Sequence, residues 1–224
     1  MLQQLPVFPL NMVMFPGATM ALHVFEDRYR ALVRDLLDNP DASERLFGIV
    51  AIREGYEVGQ HGRQSLHRVG CVVQLVEVEP YDDGRFDIEV VGRERMHLDG
   101  MDSSGDYLVG TVEALTERTA KGADLAQEAA RTTDTFTRYR HRLSEIRGGP
   151  VLDGDLPNDP EYLSYTLAAT SLLTLQQRQD LLEAETALER LVMMRHDLIQ
   201  EMRAMRAIAS LPAAELARTG WSPN

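Results

Sequence analysis

The chain has 224 residues, of which 44% are hydrophobic and 26% charged, the balance of a soluble globular protein, and no apolar stretch reaches the ~18 residues of a membrane span. The net charge of −12 sits mostly in residues 1–117, which hold 20 Asp and Glu against 10 Arg. Phosphate backbones are bound by neutralising them with Lys and Arg, so this acidic half argues against general nucleic-acid binding. The N-terminus, "MLQQLPVFPL", has no basic segment ahead of its apolar part, and a signal peptide is not expected. A single cysteine, Cys71, excludes an internal disulfide framework and fits a cytoplasmic protein.

In chain order, the first feature is an apolar run broken by proline and glycine, "LPVFPLNMVMFPGATM" (5–20). Proline cannot donate to a strand ladder, so the run reads poorly as a central strand. Its Met12, Met14, Phe15, Pro16 and Met20 either plug one end of a core or form a contact surface. Methionine adapts its shape to varied partners, and exposed apolar loop residues mark interaction sites. These five are the candidate peptide-contact residues.

"EDRYRALVRDLLD" (26–38) places Tyr29, Leu32, Val33, Leu36 and Leu37 on one helical face. "RLFGIVAI" (45–52) suits a strand buried on both faces. "GCVVQLVEVEPY" (70–81) alternates, with Val76 and Val78 opposed to Glu77 and Glu79. "DDG" (82–84) makes the turn, and "RFDIEVVGRERMHL" (85–98) returns. "DYLVGTVEAL" (106–115) adds another strand. From about residue 118 the period becomes helical. A long helix over 124–146 stops before Gly148-Gly149-Pro150, Asp159-Pro160 opens the next, and Thr174 with Gln177 and Thr186 with Glu189 fit capping boxes. The last helix, from Ala187 to about Ala209, carries a stripe of Leu188, Leu191, Leu198, Met202, Met205 and Ile208. That stripe is either a bundle face or the seam of a homodimer. The predicted units are therefore a β-rich part, 1–117, and a helical part, 118–224, in an α+β fold.

"LPVFPLNMVMFPGATMALHVFEDRYRALVRDLL" followed by "RLFGIVAI" resembles the opening of the Lon protease N-terminal, or Lon substrate-binding, domain family. "RVGCVVQLVEVEPYDDGRFDIEVVGRERM" is similar to that family's central hairpin, with Met96 where the pattern usually has Phe. "LPNDPEYLSYTLAATSLLTLQQRQDLLEAETALERLVMM" resembles its helical tail. The resemblance implies a PUA-like β-barrel with one inserted helix, then a helical bundle; periodicity alone would equally allow an open sheet covered by helices. It also implies a non-catalytic module that engages unfolded or extended protein segments, possibly alongside a separate protease or ATPase. The chain has no G-x-x-x-x-G-K-[ST] loop, and nothing around its only lysine, Lys121, resembles a peptidase serine–lysine segment.

Other chemistry finds little support. His61, His67 and His97 lack the tight spacing of metal ligands, and neither cofactor nor metal is expected. The alternative of an RNA-binding module rests on the PUA-like resemblance and on the arginine stripe "RYRHRL" (138–143), which otherwise reads as a solvated helix face.

Overall fold

The computed structural model describes residues 2–54, 65–118, 122–152 and 154–208. Seven strands come first: β1 Leu2–Leu10, β2 Thr19–Val24, β3 Leu46–Glu54, β4 Ser65–Leu66, β5 Val69–Pro80, β6 Phe86–Asp102 and β7 Val109–Ala114. One helix, α1 Asp27–Asp38, is inserted between β2 and β3. Four more follow: α2 Ala123–Arg147, α3 Pro160–Thr170, α4 Leu175–Glu183 and α5 Ala187–Ile208.

The strands close into a barrel in the order β1–β7–β6–β5–β3, with β3 returning to β1 as the one parallel pair of that circuit. Closure removes the open edges that a flat sheet would present. It depends on β1 changing partner part-way. Leu2–Pro6 pair with β7, and Val7–Leu10 pair with β3. Pro6 sits at the changeover, where Val7 donates its N–H to the Leu108 carbonyl (2.8 Å) just beyond the ladder. The prolines therefore mark a switch within a strand, where the sequence pattern alone suggests no strand. The long β6 is shared in the same way: β2 pairs with its first half and β7 with its second.

Two apolar layers fill the barrel. One packs Phe8, Phe47, Ile49, Val73, Leu75, Ile88 and Val90 under Tyr29, Leu32, Val33 and Leu36 of α1, the face the helical period predicts. The other joins Val7, Val50, Val72, Met96, Leu98 and Val112. Met96 fits because Gly48 faces it; a Cβ at Gly48 would collide with the methionine's tip. The alternation predicted for β5 fails at one residue. A β-bulge between Leu75 and Glu77 turns Val76 outward beside Glu77, since a bulge adds an unpaired residue and resets the two faces.

The helical starts obey local chemistry. The Asp159 carboxylate accepts the Tyr162 N–H (2.8 Å) with Pro160 in the first turn, and Thr174 with Gln177 forms a full capping box. At α5 the Thr186 hydroxyl accepts the Glu189 N–H (3.1 Å), while the Glu189 carboxylate accepts from Glu185 (2.9 Å) in place of the cap residue itself. In α5, Leu191, Met194 and Leu198 are buried among α2, α3 and α4, with Met202 and Met205 packed at the margin. The stripe that could have served a homodimer seam is filled by the chain's own bundle over these positions.

Barrel and bundle meet at a buried ionic knot. The Glu117 carboxylate lies 3.1 Å from the Arg190 guanidinium of α5 and 2.9 Å from that of Arg95 on β6. The Tyr165 hydroxyl donates to the same carboxylate (2.6 Å), and its ring lies under the Arg190 guanidinium, 4.0 Å from the centroid. Arg190, with 0% exposure, also donates to Leu181, Ala184 and the Ser164 hydroxyl, and Arg95 donates to Leu182 and Ala184. Burial pushes the Arg190 pKa down and the Tyr165 pKa up, so the carboxylate between them is what makes the cations tolerable here. Removing one member of such a set strands a buried charge. Glu117→Ala is expected to lower unfolding free energy by about 3–5 kcal/mol in urea denaturation, with Tm falling in parallel.

Candidate functional site

The link from β1 to β2 runs between barrel and bundle, and it distributes its apolar side chains to both. Met14 (2% exposed) enters the barrel core, whereas Phe15 (1%) enters the bundle core and packs 6.4 Å from the Tyr165 ring. Gly17, at φ +77°, then reverses the chain; its N–H donates to Gly92 (2.9 Å), and a side chain there would collide with Tyr162. Gly92 likewise has room only for hydrogen against the Phe15 carbonyl. Pro16 is half-buried in a crevice against α3, and Met20 is half-buried on the barrel core. Only Met12 reaches the exposed class, at 36%. Met14 and Phe15 thus stand corrected as contact residues: each belongs to a core because this link is the joint between two cores.

The open apolar surface lies next door. Phe8, Leu10, Leu22, Val24, Phe25 and Tyr29 line a cleft of about 210 Å³ between the end of β1, β2 and the start of α1, with His23 and Glu26 at its mouth. It exists because β7 leaves β1 at Pro6. Beyond that point β1 has β3 on one side only, and among the described residues β2 has β6 as its only ladder partner. The seam between these strands is roofed by α1 and not by another strand. Phe25 is 51% exposed at the strand–helix junction. Large apolar side chains left open beside an apolar cleft mark binding surfaces more often than scattered ones do.

Polar groups fix the mouth. Glu26 accepts from Arg28 (3.0 Å), whose guanidinium lies 4.4 Å from the Tyr29 ring centroid. On the outer face His23 Nδ1 is 2.6 Å from Asp87, the Tyr81 hydroxyl donates to the other Asp87 oxygen (2.6 Å), and Arg85 lies 3.3 Å from His23 Nε2. The Tyr81 hydrogen bond, followed by that of His23, holds the Asp87 carboxyl below the usual range. The His23 ring stacks on Phe25 at 6.2 Å. Sequence reasoning missed this cluster. The available signal was Phe25 in "HVFEDRY", an aromatic at a strand–helix boundary that belongs to neither periodic face.

Other candidates separate. His67 is 3.7 Å from Glu183 and His97 3.2 Å from Asp99, on different partners, and His61 lies outside the described residues. Among the described residues no group of three or more His, Cys, Asp or Glu could hold a metal. Cys71 is fully buried, and that burial pushes its thiol up to about 12, toward the neutral form. In the arginine stripe Arg138 donates to Asp134 and Thr135, Arg140 to Leu152 and Gly154, and Arg142 to Glu145.

A family model for the ATP-dependent protease La (LON) substrate-binding domain matches residues 4–200. The chain belongs to this family. Lon protease 2 of Syntrophobacter fumaroxidans is 28% identical over 188 residues, which is 81% of this chain and 22% of that protein. Lon protease of Porphyromonas gingivalis is 24% identical over 94% of this chain and 25% of its own. The chain therefore spans about a quarter of the length of these Lon relatives. Among solved structures, the N-terminal domain of Mycobacterium avium complex Lon protease superposes with a TM-score of 0.63 at 20% identity, covering 86% of this chain and 96% of that one. The Lon N-terminal domain protein from Xanthomonas campestris gives 0.56 at 22% identity, covering 94% and 99%. The Lon-domain resemblance and the barrel-plus-helices fold expected from it both hold.

Two outcomes separate joint from surface. Phe15→Ala is expected to cost about 3–5 kcal/mol, while Phe25→Ala stays within about 0.5 kcal/mol; thermal and urea unfolding of both variants checks this. Cys71 is expected to remain unmodified by a thiol-reactive dye in the native state and to react fully in denaturant.

Proposed function

We propose that this Lon substrate-binding domain acts as a non-catalytic receptor for extended or unfolded polypeptide, taking apolar client side chains into the cleft between β1, β2 and α1. The observation that carries the reading is Phe25, open to solvent at the mouth of an apolar cleft whose flanking strands lack ladder partners on that side among the described residues. Met12, exposed on the β1–β2 link, is a further candidate contact, and Met20 packs on the barrel core. Pro16 lies on the separate crevice against α3.

Several features support holding without cutting. The family match covers a binding domain, and the chain carries no phosphate-loop motif. A protease or ATPase would then process what this domain retains, in the cytoplasm. Among the described residues no helix is long and apolar enough to cross a membrane.

A second reading has one observation in its favour: Arg138, His141, Arg142 and Arg206 line a crevice between α2 and α5 that could face an RNA phosphate. Against it stand the bonds that already hold Arg138 and Arg142 and the chain's net charge of −12.

A dye-labelled, permanently unfolded model protein and a dye-labelled RNA test the two readings by fluorescence anisotropy. Wild type is expected to retain the unfolded protein with Kd of tens of micromolar, roughly 6 kcal/mol. Phe25→Asp is expected to weaken retention about tenfold with Tm unchanged, and Arg138→Gln with Arg142→Gln to leave it intact. No retention by wild type at ~100 µM, close to 5.5 kcal/mol, would sink the receptor reading. Salt-sensitive retention of RNA that is lost in the arginine double variant would establish the second.

A further inference from the structure

Resting on the receptor reading, the geometry of β2 points to how the client is held: we propose that it adds as a strand along the outer edge of β2, with apolar and basic residues alternating. Three observations lead there.

The first is the direction of the main-chain groups. The Gly92 N–H donates to the Ala18 carbonyl (2.9 Å) while the Gly92 carbonyl accepts from Gly17 (2.9 Å), a one-residue bulge that leaves the Ala18 carbonyl facing β6. Antiparallel pairs alternate in type along the ladder. With Met20 opposite Val90, Leu22 opposite Ile88 and Val24 opposite Phe86, these even positions turn their N–H and C=O groups toward β6. The main-chain groups of Thr19, Ala21 and His23 point the other way, along the edge that has no ladder partner among the described residues. All three residues are exposed.

The second is that this edge is unguarded. Protein edges are usually blunted by lysine, proline or an inward charge. Over Thr19–Val24 there is none of these. The edge also borders the apolar cleft, so a strand laid on it would send every second side chain in beside Leu22, Val24 and Phe25.

The third is charge. The remaining side chains of an added strand would lie on the outer face, level with Thr19, Ala21 and His23. One strand further in are Asp87 and Glu89; beyond them Glu79 faces Asp87 and Glu77 faces Glu89 across the β5–β6 ladder. Like charges directly opposite one another destabilise a sheet. Asp87 is answered by His23 and Tyr81, whereas Glu77, Glu79 and Glu89 have no ion pair among the described residues. Ala21 is the cross-strand neighbour of Glu89, and its side chain is too short to pair with that carboxylate. Neighbouring strands lie about 4.8 Å apart, so a client Lys or Arg beside Ala21 can span two strands to Glu89. A basic outward position would relieve the repulsion already present.

The test uses three nine-residue fluorescent peptides: valine and lysine alternating, the same composition in two blocks, and the alternating peptide N-methylated at every second residue. Anisotropy is expected to show the alternating peptide binding at least tenfold tighter than the other two. Ala21→Pro removes an N–H that β6 does not use, at a strand edge where proline is tolerated; it should weaken the alternating peptide about tenfold with Tm kept. Glu89→Lys should abolish the advantage of lysine over a serine-substituted peptide. Equal retention of all three peptides, lost in Phe25→Asp, would overturn strand addition while leaving the receptor reading standing, and the N-methylated peptide decides this even if Ala21→Pro misfolds. Failure of wild type to retain any of the peptides or the unfolded protein would overturn both.

Discussion

One carboxylate organises this molecule. Glu117 lies just beyond the last barrel strand and satisfies two guanidiniums, one from the barrel and one from the bundle, with a tyrosine hydroxyl on the same oxygens. Ion pairs buried this deeply add little net stability over an apolar replacement, because desolvation offsets their attraction. What they do impose is geometry. Arg190 and Arg95 also donate to carbonyls around the end of α4, so the knot fixes where that helix ends and how the bundle seats against β6.

The seating of the bundle decides which surfaces remain open. With the bundle held against this part of the barrel, the β1–β2 link is enclosed, and its bulkiest side chains become core on either side of it. The two glycines of the joint, Gly17 and Gly92, are required by close approach to Tyr162 and Phe15. The next apolar region along the chain has no such cover. β1 parts from β7 at Pro6, β2 pairs with β6 alone among the described residues, and α1 roofs the seam without filling it. The same strand switch that closes the barrel thus leaves a cleft at its side.

Much of this was legible in the sequence. The amphipathic face of α1, the turn at Asp82–Gly84 and the caps at Asp159 and Thr174 all follow local rules, and local rules act over a few residues wherever they occur. The Lon-domain resemblance supplied the barrel that periodicity could not distinguish from an open sheet. Three things were hidden. The strand across Pro6 and Pro9 depends on a change of partner, which no local pattern records. The bulge at Val76 depends on the register with β6. The destination of Met14 and Phe15 depends on the bundle's position, set by Glu117, Arg95 and Arg190, which are far apart in sequence and look like ordinary surface charges there. The cleft was missed for a related reason: Phe25 belongs to neither the strand nor the helix pattern, and its exposure is a tertiary fact.

The account stands on the seam between β1 and β2 being where a client polypeptide is held. The most direct measurement is photo-crosslinking to an unfolded client, with the reactive side chain placed at Phe25 in one variant and at Val192, exposed on α5, in another. The account predicts efficient client capture from position 25 and only background from position 192. Equal capture from both, or capture from 192 alone, would contradict it.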